Sequence, residues 1–220
     1  VTTIVSTDMA RAIAQSYGCE MIEVLTGFKY IAEQIHLFET TGAHTFMFGF
    51  EESYGYLSGT DVRDKDGVNA CMLIAEAACW YKKEYGKTLA DAIDMLYAQY
   101  GYYGDHVTSI VLPGKDGLTR MAEIMQTLRD HPPVAFGDVR VTAVRDYLKS
   151  IRTCGDTVEP ITLPKSNVMY FELEGGAWIC VRPSGTEPKI KLYVNAVTDS
   201  HEKTQKLLAY LSDAAAEMIQ

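Results

Sequence analysis

The residues richest in possible chemistry run from Arg182 to Lys191: Arg-Pro-Ser-Gly-Thr-Glu-Pro-Lys-Ile-Lys. Arg182 offers a planar guanidinium fork for phosphate oxygens. Ser184 and Thr186 offer hydroxyls, and Gly185 lets a backbone N–H come close to an anion. Lys191, two residues beyond Lys189, shares its side of a strand. One phosphate could gather several charge-assisted hydrogen bonds here, each worth about 1.5–3 kcal/mol. The same residues also suit a turn-rich hairpin with a solvated basic face.

A second cluster, Gly49-Phe50-Glu51-Glu52-Ser53-Tyr54-Gly55-Tyr56, follows an apolar stretch. Ligands of open α/β sheets sit beyond the carboxyl ends of strands. A carboxylate there can accept two hydrogen bonds from a vicinal diol, and Ser53 can add a third contact. Glu51 and Glu52 are adjacent on an extended segment and point opposite ways, so they are a poor acid/base pair for glycoside chemistry. A solvated charged loop is the plainer alternative.

Two further segments carry positive charge. Thr26-Gly27-Phe28-Lys29 reads as a strand-to-helix turn, where a helix N-terminus and Lys29 could attract an anion. Asp61-Val62-Arg63-Asp64-Lys65-Asp66-Gly67 resembles a calcium loop only faintly. Aligned on Gly67, its first and twelfth positions are Val62 and Leu73, which cannot ligate. A basic loop near an anionic substrate suits it better, beside the option of a solvated helix entry. His36, His44, His106, His131 and His201 show no metal-ligand spacing. There is no P-loop and no G-x-S-x-G.

These residues need elements to hold them. Thr3–Thr7, Met21–Leu25 and His44–Phe50 read as short apolar strands. Between them lie helices from Asp8 to Tyr17, capped by Asp8, and from Thr26 onward with Tyr30, Ile31, Ile35 and Leu37 at helical spacing. Such a pattern predicts a sheet covered on both faces. Helices follow over about Gly67–Tyr85 and Thr88–Tyr100, the second opened by a capping box. The grammar then changes. Strands are expected at Val107–Leu112, Val139–Leu148, Val168–Leu173, Ala177–Val181 and Lys189–Val197. Helices are expected at Leu118–Arg129 and from about Asp199 to Ile219. Arg152–Ser166 reads as a long irregular connection. The boundary between an α/β domain and an antiparallel α+β domain is expected near Gly104, giving domains 1–104 and 105–220.

The chain has 220 residues, 47% hydrophobic and 22% charged, which sets disorder aside as the main state. Twenty basic residues against 29 acidic ones give −9. That opposes nonspecific nucleic-acid or membrane-surface binding, while a local cluster can still hold a small anion. No apolar run is long enough for a span. The first residue is Val1 with no basic-then-apolar leader, as expected of an excised piece. The cysteines Cys19, Cys71, Cys79, Cys154 and Cys180 are odd in number and lack C-x-x-C. They are expected to be buried free thiols in a cytoplasmic protein.

Five segments stand in one order: Thr-Gly-Phe-Lys at 26–29, Phe-Glu-Glu-Ser-Tyr-Gly-Tyr at 50–56, Asp-Lys-Asp-Gly at 64–67, Tyr-Gly-Tyr at 100–102 and Ser-Gly-Thr-Glu-Pro-Lys-Ile-Lys at 184–191. In this order they resemble the α-D-phosphohexomutase family over nearly the whole chain. The branch they look like holds bacterial phosphoglucomutase/phosphomannomutase and phosphoglucomutase-2-like phosphopentomutases. The resemblance implies the third and fourth of four domains: an α/β/α layered sugar-binding domain, then a small α+β domain similar to the TATA-binding-protein fold. It implies that Glu51 and Ser53 grip the sugar's 3- and 4-hydroxyls, with Thr26, Gly27, Lys29 and Lys65 lining that cleft and Lys65 assisting catalysis. Arg182, Ser184, Gly185, Thr186 and Lys191 would hold the non-transferred phosphate.

The family's phosphoserine loop (T-A-S-H-N type) and magnesium loop (D-x-D-x-D-R) are not in this sequence. The resemblance places them, and the Mg2+, in the first two domains, which would be this chain's partners. It also implies a bisphosphate intermediate and a glucose 1,6-bisphosphate-type activator. The expected activity is exchange of hexose 1-phosphate and hexose 6-phosphate, with these 220 residues inactive alone. A non-catalytic sugar-phosphate-binding module and phosphopentomutase specificity are the alternatives. One departure stands out: many members have Gly after the loop serine, and here it is Tyr54.

Overall fold

The computed structural model describes residues 1–219. The chain divides into two compact units, Val1–Gly101 and Tyr102–Gln220.

The first unit is built on a four-stranded sheet in the order β2-β1-β3-β4. Its strands are β1 (Thr2–Thr3), β2 (Glu23–Val24), β3 (Phe48–Glu51) and β4 (Gly55–Ser58). β1 pairs in parallel with β2 and β3, while β3 and β4 form an antiparallel hairpin. The helices are α1 (Met9–Ser16), α2 (Phe28–Thr41), α3 (Gly67–Tyr85) and α4 (Leu89–Tyr100). Phe28, Ile31, Ile35 and Phe38 recur at helical spacing on α2 and form a core with Val24, Phe46 and Leu57. β3 presses so closely on α2 that a Cβ at Gly49 would lie 2.6 Å from Ile31 Cγ2. Thr88 and Asp91 make the expected capping box on α4.

Several expectations fail locally. β1 covers two residues because Ile4 and Val5 turn, closed by the bond from the Ser6 N–H to the Thr3 carbonyl at 3.1 Å. Asp8 makes no capping bond, since its own backbone is already helical (φ −70°, ψ −13°). β3 begins at Phe48, not His44, and β4 occupies what read as the tail of a loop. Cys19, Cys71, Cys79 and Cys154 are exposed; only Cys180 is buried. Cys71 and Cys79 ride on α3, which buries none of its residues despite its apolar composition. Composition alone does not say which helix finds a covering layer.

The second unit is one eight-stranded antiparallel sheet with two helices. Its strands are β5 (Tyr102–Val111), β6 (Ala135–Phe136), β7 (Val139–Asp146), β8 (Ile151–Cys154), β9 (Thr157–Pro160), β10 (Met169–Leu173), β11 (Trp178–Pro183) and β12 (Lys189–Thr198). They lie in the order β5-β12-β11-β10-β7-β8-β9, with β6 on β7. The helices are α5 (Gly117–Asp130) and α6 (His201–Glu217). Alternate residues Phe171, Ile179, Val181, Ile190, Leu192 and Val194 pack with Met125, Leu128, Leu208 and Leu211 from the helices. Ser200 caps α6, accepting the Lys203 N–H at 3.4 Å.

The expected irregular connection Arg152–Ser166 is corrected here: β8 and β9 form a hairpin within it. β9 is exposed along its length. It therefore lacks the apolar alternation by which a strand is read from sequence. β5 also starts five residues before the expected Val107, because Tyr102 pairs with Thr198. Among the described residues, no helix is long and apolar enough to cross a membrane.

Candidate functional site

In the first unit the site residues gather where β3 ends. Glu51 closes β3 on the buried side of the pleat, leaving 7% of its side chain exposed. Lys65 Nζ lies 2.5 Å from Glu51 Oε1 and donates to the Ser53 carbonyl at 3.1 Å. One ammonium thus fixes both the carboxylate and the loop that follows it. Gly55 seals the arrangement. A Cβ there would lie 2.8 Å from Phe28 Cδ2, 2.9 Å from Glu51 Cγ and 3.0 Å from Lys65 Cε.

The loop carrying Lys65 is anchored at both ends. The Asp66 N–H donates to the Tyr56 carbonyl at 2.8 Å, and Asp66 Oδ1 caps α3 by accepting the Asn69 N–H at 2.9 Å. Ser58 Oγ reaches Asn69 Oδ1 at 2.6 Å. Arg63 turns away and pairs with Glu39 at 2.5 Å. The structure therefore brings Glu51, Ser53 and Lys65 together and sends Arg63 elsewhere. Gly27 begins α2 with φ 123°, which favours glycine. Phe28 is buried, while Lys29 is exposed with its Nζ 4.8 Å from the Tyr30 ring centroid.

Two features of this loop escape sequence reasoning. Tyr54 has φ 58°, and its side chain stands in solvent at 88% exposure. The three residues Glu52, Ser53 and Tyr54 link β3 to β4, and such loops place their last residue in the left-handed region. Glu52, adjacent to Glu51, points the other way: Thr3 Oγ1 donates to its Oε2 at 2.9 Å and Ser53 Oγ to its Oε1 at 3.3 Å. Local sequence holds no signal for a contact between residues 3 and 52.

In the second unit Arg182 and Lys191 are register partners on β11 and β12, so they share a face. That face is opposite the helices, because Val181, Ile190 and Leu192 point into the core. The loop between them is closed by bonds from the Ser184 N–H to the Lys189 carbonyl and from the Lys189 N–H to the Glu187 carbonyl, both 2.8 Å. Ser184 Oγ accepts the N–H groups of Thr186 at 3.4 Å and Glu187 at 3.3 Å. Both bonds use its oxygen as acceptor, and a hydroxyl also carries one proton to donate. A Cβ at Gly185 would meet nothing within 4 Å, so this glycine leaves open space beside the loop. Lys189 pairs with Glu187.

Further along the same face Glu172 binds Arg145 at 2.6 Å and Arg152 at 2.7 Å. Burial pushes the Glu172 carboxyl upward. The hydrogen bonds from Arg152 and Arg145, with their charges, outweigh it and hold the pKa at about 2.

Residues 1–100 match the family model "Phosphoglucomutase/phosphomannomutase, alpha/beta/alpha domain III", and residues 133–211 match its "C-terminal domain". The chain belongs to the phosphoglucomutase/phosphomannomutase family. It is 42% identical over 197 residues to a phosphoglucomutase of Staphylococcus aureus strain bovine RF122 / ET3-1, covering 89% of this chain and 35% of the relative. To the phosphoglucomutase of strain MRSA252 it is 40% identical over 214 residues, covering 96% and 38%. The open form of pp63/parafusin, a phosphoglucomutase from Paramecium, shares the fold with a TM-score of 0.64 at 16% identity. That likeness covers 99% of this chain and 37% of the other.

The chain therefore spans little more than a third of the curated relatives it matches. Within this phosphoglucomutase/phosphomannomutase-family chain, no group of three or more His, Cys, Asp or Glu converges as a metal cluster among the described residues.

Proposed function

We propose that this chain supplies the sugar- and phosphate-binding parts of a phosphosugar mutase that exchanges hexose 1-phosphate and hexose 6-phosphate through a bisphosphate. The observation that carries the reading is the buried Glu51 carboxylate, held through one oxygen by Lys65, which also binds the carbonyl of Ser53 two residues on. The sequence likeness to phosphoglucomutases supports it.

Glu51 and Ser53 bind two neighbouring sugar hydroxyls, with Thr26, Gly27, Lys29 and Lys65 around them. Arg182, Ser184, Gly185, Thr186 and Lys191 hold a phosphate. Turning a hexose end for end roughly exchanges its 3- and 4-hydroxyls. A carboxylate oxygen accepts from either, because it reads only that a hydroxyl donates and not which carbon bears it. Phosphoryl transfer depends mostly on positioning and on stabilising charge, so this binding energy serves the reaction. The phosphoryl donor is a phosphoserine loop of a type this sequence lacks. On this reading the magnesium belongs to the family's second domain.

Calorimetric titration with glucose 1-phosphate tests the binding. Glu51→Gln and Arg182→Met should each weaken it about tenfold or more. The family's first two domains, added in trans, should then restore conversion to glucose 6-phosphate. Turnover by this chain alone would overturn the reading. Tighter binding of ribose 5-phosphate would move it to phosphopentomutase specificity. Binding with no complementation would favour a non-catalytic module.

A further inference from the structure

Glu52 has no part in the reading above, yet it is the best-tethered side chain of the loop. Thr3 Oγ1 donates to its Oε2 at 2.9 Å, and Ser53 Oγ donates to its Oε1 at 3.3 Å. Thr3 sits in the middle of the sheet, 1% exposed, and its hydroxyl lies 3.0 Å from Ser6 Oγ. A hydroxyl has one proton. Thr3 gives its proton to Glu52, so Ser6 must donate to Thr3. The chain of donation runs from Ser6 through Thr3 to Glu52, and Ser53 donates to the same carboxylate from the other side. The register makes this possible. Thr2 pairs with Phe50 across β1 and β3, which brings Thr3 level with the residues that leave β3.

We propose that Glu52 is a positioning residue that takes the only proton of Ser53 and so makes Ser53 a pure acceptor toward the ligand. This rests on the phosphosugar reading and deepens it. Glu51, paired with Lys65, presents carboxylate oxygens and so offers acceptors as well. The two groups therefore demand two sugar hydroxyls that both donate. Lys65 is the donor among them. The site thus reads the sugar's hydroxyls by their protons as well as by their positions. A C–F group has the size of a hydroxyl and can only accept, so this site should reject it.

The test begins on the unaltered protein, where no variant can misfold. Binding of glucose 1-phosphate is compared with its 3-deoxy, 3-deoxy-3-fluoro, 4-deoxy and 4-deoxy-4-fluoro analogues by calorimetry. At the position facing Ser53, deoxy and fluoro analogues should lose affinity together, by about tenfold each. A fluoro analogue that binds as well as the parent at both positions overturns the proposal. Glu52→Gln can turn its amide toward Ser53 and release the Ser53 proton. In that variant, and in Glu52→Ala, the fluoro analogue should regain several-fold affinity over the deoxy one. An unchanged pattern in both variants, with thermal unfolding intact, also overturns it. Glu51→Gln separates the two readings. If it leaves glucose 1-phosphate binding unaltered, the site reading fails. If it weakens binding while the Glu52 variants keep the parent pattern, only the role of Glu52 fails.

Discussion

Lys65 and Glu51 form an ion pair at 2.5 Å with one wet member and one sealed member. The Lys65 side chain is 39% exposed and that of Glu51 only 7%. The lysine can therefore leave for water at little cost, but the carboxylate cannot. The fold depends on the pair in one direction only.

Removing the lysine is the first prediction. Lys65→Met should strand the carboxylate and destabilise the first unit by about 2 kcal/mol, read as a lower urea midpoint. Lys65→Arg keeps the charge and should retain most of that stability. Equal loss in both variants would mean that shape, and not charge, is what Lys65 contributes.

In the second unit Arg129 and Asp146 are buried on both sides, with side chains 4% and 7% exposed. Arg129 Nε meets both Asp146 oxygens, at 3.2 and 3.1 Å, and its other nitrogens reach the Met125 carbonyl and Asn167. Arg129→Met leaves the buried Asp146 carboxylate with the Leu148 and Lys149 N–H groups and a 4.0 Å approach of Lys149 Nζ, but without its buried counter-charge, and should cost about 3 kcal/mol in equilibrium unfolding. The double variant Arg129→Met, Asp146→Leu should cost less than Arg129→Met alone, since no uncompensated charge remains. A larger loss in the double variant would contradict this account.

The Glu172 cluster gives an acid-side signature. Its carboxyl is held at about 2 against the usual 4.5. A depressed folded-state value means stability that is fully present above about pH 4.5 and is lost as pH falls toward 2. With a fifth of the side chain exposed, the cluster should supply about 2 kcal/mol at neutral pH. Glu172→Gln should lower stability at pH 7 and flatten the fall between pH 4.5 and 2. Denaturation curves at half-unit pH steps would show it. Parallel pH profiles for both proteins would refute it.

Tyr54 offers a change in the opposite direction. A non-glycine residue at φ 58° carries about 1–2 kcal/mol of strain, and its ring is too exposed to return much by burial. Tyr54→Gly should therefore raise the stability of the folded state, offset in part by the greater freedom of glycine in the unfolded chain. The net gain should be about 0.5–1 kcal/mol in thermal unfolding. A loss would show that the ring has a partner worth more than the strain.

Part of the fold that carries the candidate site was legible in the sequence because its signals are local. The Thr88–Asp91 box, the glycine at position 27 and the alternation through Val181, Arg182, Ile190 and Lys191 all act within a few residues. They pointed to α4, to the start of α2 and to a strand carrying Lys189 and Lys191 on one side, whereas the pairing of Arg182 with Lys191 came from the structure. The hairpin β8–β9 was not legible. Its strands are polar, and they are held by pairing to β7 in place of a buried stripe. The exposure of Cys71 and Cys79 was not legible either, since it depends on what covers α3.

The sequence by itself nominated the groups proposed to meet a ligand: Glu51, Ser53 and Lys65 in one unit, Arg182 and its loop in the other. Only the tertiary structure decided how those groups are buried and held. Glu51 is buried beside Gly55, where an added Cβ would crowd it, and the glutamate that follows it is fixed to a threonine 49 residues away. Helix caps and turns are chosen by neighbours along the chain. Burial and proton ownership are chosen by neighbours across the sheet, and sheet register is set when distant strands pair.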